Sequence, residues 1–134
     1  MIQYSNLKKG GVMIITLQGE TPSKKNSRIN TRSGRSFPNK KYMEWQKNAI
    51  EHIRALGIKG INSEAKTRYE IKMTFYHGDK RRRDSDNAVS SIFDMLVKSG
   101  ILPDDNWQVI PRYEVNNEYT KGEPKCCIEI IGGE

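Results

Sequence analysis

The alternation of apolar and polar positions predicts four strands along the chain. Residues 12–17 (VMIITL) form a short apolar run rich in β-branched side chains. Residues 68–77 (RYEIKMTFYH) alternate with a period of two, which is typical of a half-buried strand. Residues 107–119 and 125–131 are predicted as two final strands, with a turn over residues 120–124 between them.

Apolar residues at spacings of three and four predict two helices. In the first, over residues 39–56, the apolar stripe consists of Tyr42, Trp45, Ala49, Ile53 and Leu56. In the second, over residues 86–98, the apolar arc consists of Val89, Ile92, Phe93 and Leu96. The resulting order, β-α-β-α-β-β, predicts an α/β (α+β) fold with a mixed sheet and two main helices. We expect one small domain over residues 13–134, preceded by a flexible extension over residues 1–12.

Composition adds an expectation about location and partner. No apolar run approaches the roughly 20 residues that cross a bilayer, and the N-terminus lacks the apolar core of a signal peptide, so we expect a cytoplasmic protein without a membrane partner. Lys and Arg number 23 against 16 Asp and Glu, a net charge of +7. This excess favours a polyanionic partner, most commonly nucleic acid, although a basic surface without such a partner has the same composition.

Basic residues concentrate in the segment between the first strand and the first helix. Residues 19–38 are predicted as a long exposed loop, which in a compact domain is often functional. We expect the loop to contact the phosphates of a nucleic acid through Lys24, Lys25, Asn26, Arg28 and Arg32.

The two cysteines predict no disulfide and no structural zinc site. Cys126 and Cys127 are neighbours, and neighbours in a strand point to opposite faces, so both are expected to be reduced thiols, one of them buried. The two histidines, His52 and His77, are distant along the chain.

Acidic residues around the second helix suggest a metal site. Asp84 and Asp86 lie at the start of this helix, and Asp104 and Asp105 follow its end. The later pair could return to the first if the next strand begins beside the strand that ends near His77. Carboxylates that converge repel each other and need a counter-charge, and oxygen ligands without His or Cys favour Mg²⁺, with Mn²⁺ possible. Such an ion can activate water and polarise a phosphate.

The same acidic residues also have ordinary structural interpretations. Aspartates at a helix start commonly cap free N–H groups, and Pro-Asp-Asp-Asn is a common turn sequence. The neighbouring run of Arg81, Arg82 and Arg83 nevertheless places the carboxylates in positive charge, which suits an enzyme that acts on a polyanion.

The pattern resembles the RusA-type Holliday junction resolvases over about residues 13–131. The matching features are the segment IITLQGETPSKKNSR and a D-x-D-N helix start followed by further aspartates: Asp84, Asp86, Asn87, Asp94, Asp104 and Asp105. The resemblance implies a homodimer, often phage-borne, that cuts four-way DNA junctions with Mg²⁺. It implies that Asp84, Asp86 and Asp105 are catalytic metal ligands and that Asn87 lies at the site's edge. We also expect Arg81, Arg82, Arg83 and Asn87 to contact the DNA, with Ser90, Asp94 and Asp104 as accessory residues.

One departure from the family pattern defines the alternatives. The family commonly has a Lys four residues after the second Asp, and Ser90 stands there in this chain. A protein of the same fold that binds branched nucleic acid with impaired catalysis is therefore the main alternative. A metal-dependent nuclease or phosphatase for other substrates, such as flaps or RNA, is a second. A basic α/β protein whose aspartates are only caps and turns is the third.

Overall fold

A computed structural model describes residues 2–4, 11–23, 28–30, 34, 36–38, 40–56 and 68–133. Its two helices are α1 (Lys40–Ala55) and α2 (Ser85–Lys98). Its seven strands are β1 (Ile2–Tyr4), β2 (Val12–Gln18), β3 (Arg28–Asn30), β4 (Ser36–Pro38), β5 (Arg68–His77), β6 (Arg112–Tyr119) and β7 (Lys125–Gly133). The longer elements have the predicted order β-α-β-α-β-β, so the predicted α+β class is confirmed.

Five of the strands form one mixed sheet in the order β1-β2-β7-β5-β6. Every neighbouring pair is antiparallel except β5 and β6, which are parallel, with Glu70 opposite Arg112 and His77 opposite Tyr119. A parallel pair needs a crossover connection, and α2 supplies it. The chain therefore travels along β5, returns along α2 and travels in the first direction again along β6.

One face of this sheet and the two helices form the hydrophobic core. Alternate residues of the central strands are buried, and the strand register places Ile15, Ile128 and Met73 side by side in one fully buried row. Because successive side chains point to opposite faces, the intervening residues, such as Ile14, are only half-buried. The predicted alternation over residues 68–77 is confirmed, since Tyr69, Ile71, Met73 and Phe75 are buried.

The helices begin and end within a residue of their predicted bounds. Gly100, with a φ of 84°, follows the last turn of α2 in a left-handed conformation that favours glycine, which suits it to end the helix. The α1 stripe is confirmed for the buried residues Tyr42, Ala49 and Ile53, but it is wrong for Leu56, which is 51% exposed. Leu56 follows the last residue of α1, so it has left the stripe. No helix in the described part of the chain is long and apolar enough to cross a membrane.

The structure differs from the sequence predictions at three segments. Ile2–Tyr4 pairs with β2, so these residues are not the loose extension expected over residues 1–12; residues 1 and 5–10 lie outside the described part. The basic segment 19–38 contains the two-stranded sheet of β3 and β4 rather than only loop. The strand predicted from residue 107 begins at Arg112 instead, because the Asn106 side chain accepts backbone N–H bonds from Gln108 and Val109 and holds a turn there.

Both cysteines are free, as predicted. Cys126 is buried, and burial raises the pKa of its thiol to about 12, whereas Cys127 is only partly buried on the opposite side of β7.

Neighbouring isoleucines of β2 test the assignment of the sheet's faces. Ile15→Ala should cost about 2–5 kcal/mol of unfolding free energy, because it leaves a cavity in a fully buried row. Ile14→Ala, the matched control on the half-buried face, should cost about 1 kcal/mol. Urea unfolding followed by circular dichroism measures both, and equal losses would contradict the assignment.

Candidate active site

A groove of about 460 Å³ lies where the start of α2 meets the end of β5. Five parts of the chain line it: residues 20–23 after β2, Lys41 at the start of α1, the end of β5 with the following residues, the first turn of α2, and Asn117 of β6. Its charged lining residues are the cations Lys41, Arg81, Arg82 and Arg83 and the carboxylates of Glu20, Asp79 and Asp84. The four cations suit the groove to an anionic substrate, and the three carboxylates offer oxygen ligands in the same place.

Asp84 is a carboxylate of the groove that the sequence analysis also named as a metal ligand. It is the N-cap residue of α2, with extended backbone, yet its side chain makes no capping hydrogen bond. The carboxylate is exposed and lies 4.0 Å from Nε of Arg82. An aspartate at this position ordinarily caps the helix. Because the Asp84 side chain does not, its carboxylate is available for another ligand.

Asp86 lies in the first turn of α2, and its side chain is exposed. The helix begins at Ser85, one residue before its predicted start, so Asp84 and Asp86 span the boundary between extended and helical backbone. The backbone of Asp84 is extended, whereas that of Asp86 is helical. Both carboxylates still lie at the same end of α2, and their convergence on one ion stays a prediction.

Asp105 lies at the other end of α2. Its turn precedes Val109, whose carbonyl oxygen accepts the N–H of Tyr69 at the beginning of β5 (2.8 Å). The sequence argument required the next strand to begin beside the strand that ends near His77, and β6 does pair with β5. Because this pair is parallel, β6 begins beside Glu70, at the far end of β5 from His77, so the pairing does not bring Asp105 to Asp84. With about 1.5 Å of rise per residue, the 14 residues of α2 separate Asp105 from Asp84 by roughly 20 Å within one chain.

Asp104 stabilises the turn that holds Asp105. The backbone N–H of Asp105 donates to Asp104 Oδ1 (2.7 Å), and Asn106 Nδ2 donates to Asp104 Oδ2 (3.0 Å). These bonds lower the pKa of Asp104, the bond from the Asp105 N–H contributing most. Asp104 therefore has a structural role, and its predicted accessory role at the site stays a prediction.

The donor chemistry fits a hard divalent cation, but one chain does not assemble a complete set. Asp84, Asp86 and Asp105 are exposed oxygen donors of the kind that Mg²⁺ prefers. Across the described residues, however, no group of three or more His, Cys, Asp or Glu side chains is placed to hold a metal ion. A metal site made from these three aspartates would therefore need residues of more than one subunit.

Glu20 connects the separate parts of the groove. Its Oε1 accepts the N–H of Gly78 (3.0 Å), and its Oε2 lies 3.1 Å from Nδ1 of His77 and 3.4 Å from Nε of Arg83. Nε2 of His77 lies 2.9 Å from Oδ1 of Asn117, and Nδ2 of Asn117 donates to the Ser85 hydroxyl (3.1 Å). This network holds the residues after β2, the end of β5, β6 and the start of α2 together.

The three consecutive arginines differ in their surroundings. Arg83 is 28% exposed and pairs with Asp79 (2.9 Å) and Glu20, and the hydrogen bond from Arg83 lowers the pKa of Asp79 to about 2. Arg81 and Arg82 are 83% and 93% exposed, with carboxylates 3.8 and 4.0 Å away. The predicted DNA contacts of all three stay predictions, and Arg83 additionally has a structural role.

The basic segment begins beside the groove. The Ser91 hydroxyl on α2 donates to the Pro22 carbonyl oxygen (2.6 Å), which holds residues 20–23 against the helix. Lys24, Lys25, Asn26 and Arg32 lie outside the described residues. The backbone of Arg28 belongs to β3.

The remaining predicted site residues all lie on α2. Asn87 is buried and lines the groove, and its role at the site's edge stays a prediction. Ser90 is exposed. Asp94 joins the two helices: Oδ2 accepts from the Tyr42 hydroxyl (3.0 Å) and Gln46 Nε2 (2.8 Å), and Lys98 lies 3.5 Å away.

Sequence reasoning missed several groove residues, namely Glu20, Lys41, His77 and Asn117. Glu20 and His77 are 57 positions apart and meet only because β2 and β5 flank β7 in the sheet. The one local signal was that His77 ends a predicted strand immediately before the basic and acidic run.

Comparison with known protein families shows to which family the chain belongs. The family model of endodeoxyribonuclease RusA matches residues 19–131, which is most of the chain and includes the whole groove. No curated protein matches the chain in a sequence search.

The contact between Tyr42 and Asp94 predicts a pH-dependent stability. Burial, followed by the Asp94 charge, raises the pKa of Tyr42 above its ordinary value of 10.0. The folded state therefore retains this proton more strongly than the unfolded state, so its contribution is complete below pH 10 and is lost as pH rises further. Tyr42→Phe should cost about 1.5 kcal/mol at pH 7, because it removes a hydrogen bond to a charged group.

Urea unfolding of wild type and Tyr42→Phe at pH 7.5 and pH 10.5 measures this effect. The difference in unfolding free energy between the two proteins should be smaller at the higher pH. Only wild type has the Tyr42 phenol, so only wild type loses that contribution as pH rises. A gap that stays constant or widens would contradict the assignment.

Proposed function

Because the chain belongs to the RusA family of endodeoxyribonucleases, we propose that it is a Mg²⁺-dependent endonuclease, Mn²⁺ being an alternative, that cuts Holliday junctions or other branched DNA as a homodimer. The observation that carries the proposal is the Asp84 carboxylate, which occupies the N-cap of α2 without capping it and faces a groove lined by four cations. The family match indicates the class of reaction. The Asp84 carboxylate in the groove supports placing the reaction there, because it could bind the metal ion.

In this proposal Asp84, Asp86 and Asp105 hold the metal. Bound there, Mg²⁺ would supply Lewis-acid polarisation of a phosphate and a lowered pKa of water. The chain's own residues do the rest: Arg81 and Arg82 contact backbone phosphates, as do the basic side chains that follow Ser23. Such contacts orient the DNA without reading its sequence, so binding should weaken steeply as salt rises.

The distance across α2 implies that Asp105 acts in the site of another copy. Within one chain Asp105 lies roughly 20 Å from Asp84, too far for both to bind one ion. We therefore propose that each site combines Asp84 and Asp86 of one subunit with Asp105 of the partner subunit. A two-fold dimer then contains two such sites, which suits a reaction that makes two symmetric cuts.

The edge of the sheet offers a surface for that dimer. β6 is an edge strand, all of its residues except Val115 are exposed, and in the described structure it pairs only with β5. Such an edge readily pairs with another strand. A two-fold axis perpendicular to the sheet would pair two copies of β6 antiparallel and keep both α2 helices on the same face.

Antiparallel pairing of β6 would bring opposite ends of the two subunits together. The end of β6 adjoins the start of α2 through Asn117 and Ser85, whereas its beginning, Arg112, follows the turn that contains Asp105. The Asp105 turn of one subunit would therefore approach the Asp84 end of the other. In this arrangement the third aspartate of each site comes from the partner subunit, whereas a site completed within one chain would not need a dimer.

Cleavage of a synthetic four-way junction tests the function itself. Wild type should nick the junction in Mg²⁺ and not in EDTA, whereas Asp84→Asn should lose cleavage by a factor of at least about 100 while still binding the junction, because it removes a metal ligand without changing shape. Binding by wild type without cleavage in Mg²⁺ would favour the catalytically impaired binding protein. Faster cleavage of flaps or RNA would favour the other nuclease class.

Mixing two inactive variants tests the shared site. A heterodimer of Asp84→Asn and Asp105→Asn subunits should regain cleavage, because one of its two sites receives all three native aspartates. A heterodimer of Asp84→Asn and Asp86→Asn is the control and should stay inactive, since each of its sites has one substitution. Absence of rescue in the first mixture, with heterodimers shown by mass spectrometry, would contradict a shared site.

A further inference from the structure

The groove cations are not equally available to a substrate. Among the described residues that line it, Arg81, Arg82 and Arg83 each have a carboxylate within 4.0 Å. Lys41 lines the same groove and has no carboxylate within that distance among the described residues. Its ammonium group is therefore the groove cation with the least competition for a phosphate.

The neighbouring lysine provides an internal comparison. Lys40 and Lys41 are both exposed and both lie in the first turn of α1. Lys40 lies 3.9 Å from Glu44, one turn along the helix, and it is not among the residues that line the groove. The two side chains therefore have the same charge and the same local backbone but different surroundings.

The position of Lys41 has no evident structural benefit. The first turn of α1 contains no acidic residue, and the partial positive charge at a helix N-terminus disfavours lysine there. Departures from local stability rules are expected at functional sites. A phosphate in the groove would supply the negative charge that the first turn lacks.

We propose that Lys41 binds a backbone phosphate of the DNA in the groove and so positions the strand beside Asp84. The inference rests on the proposed function for the identity of the anion, and it assigns to α1 a part in DNA binding. Lys41 acts in this proposal as a positioning residue through its charge, so arginine should replace it and glutamine should not.

The test measures binding of a synthetic four-way junction in EDTA over a range of salt concentrations. Each lost phosphate contact should reduce the slope of log K against log salt by about 0.9. Lys41→Gln should show this reduction, with binding weaker by about fivefold at 0.1 M salt, a size typical of one exposed ion pair. Lys41→Arg should keep the wild-type slope, and Lys40→Gln should change affinity by less than about twofold.

Thermal unfolding separates a binding role from a structural one. Lys41→Gln should melt at or above the wild-type temperature, since it removes a cation from the helix start. Equal effects of Lys40→Gln and Lys41→Gln on the salt slope would overturn the proposal, as would a lowered melting temperature that accompanies the loss of affinity.

The two proposals fail in distinguishable ways. If wild type binds the junction, shows the Lys41-dependent slope and does not cut in Mg²⁺, the proposed reaction is wrong and the phosphate contact stands. If wild type cuts the junction and Lys41→Gln leaves the slope unchanged, the reaction stands and the Lys41 assignment is overturned.

Discussion

The parallel pairing of β5 with β6 is the constraint on which the positions of the candidate site residues depend. Two parallel neighbours cannot be joined by a tight turn, so α2 must carry the chain back along the sheet. The start of α2, with Asp84 and Asp86, therefore lies at one end of the sheet, and the Asp105 turn lies at the other. A site that uses all three residues has to be built from more than one copy.

The electrostatics of the groove distinguish two classes of carboxylate. Glu20 and Asp79 are engaged with Arg83, His77 or backbone N–H groups and hold the walls together. Asp84 has no capping bond, and its one ion pair among the described residues is a 4.0 Å contact with the highly exposed Arg82, so its charge is available to a ligand. Surrounding cations reduce the repulsion that a lone carboxylate would exert on a phosphate, which allows one groove to serve both a metal ion and DNA.

Hydrophobic periodicity predicted the elements well because one buried face dictates it. The alternation from Tyr69 to Phe75 and the helical arc from Val89 to Leu96 both follow directly from burial against the same core. Periodicity does not encode strand direction, so it could not show at which end of β5 the Asp105 turn lies. Nor does it encode side-chain hydrogen bonds, and those of Asn106 moved the beginning of β6 to Arg112.

Local sequence patterns also could not predict contacts between residues that are distant along the chain. Glu20 meets His77, and Lys41 lines the same groove as the start of α2, only because the sheet order and the helix packing bring distant segments together. The family resemblance implied which aspartates would bind the metal, but it did not reveal how the chain distributes them in space.

Anomalous diffraction from crystals soaked in Mn²⁺ tests the central claim most directly. The account predicts a manganese peak flanked by Asp84 and Asp86 of one subunit and by Asp105 of the partner subunit. A peak coordinated without Asp84 and Asp86, or a dimer in which Asp105 of the partner subunit points away from them, would contradict it.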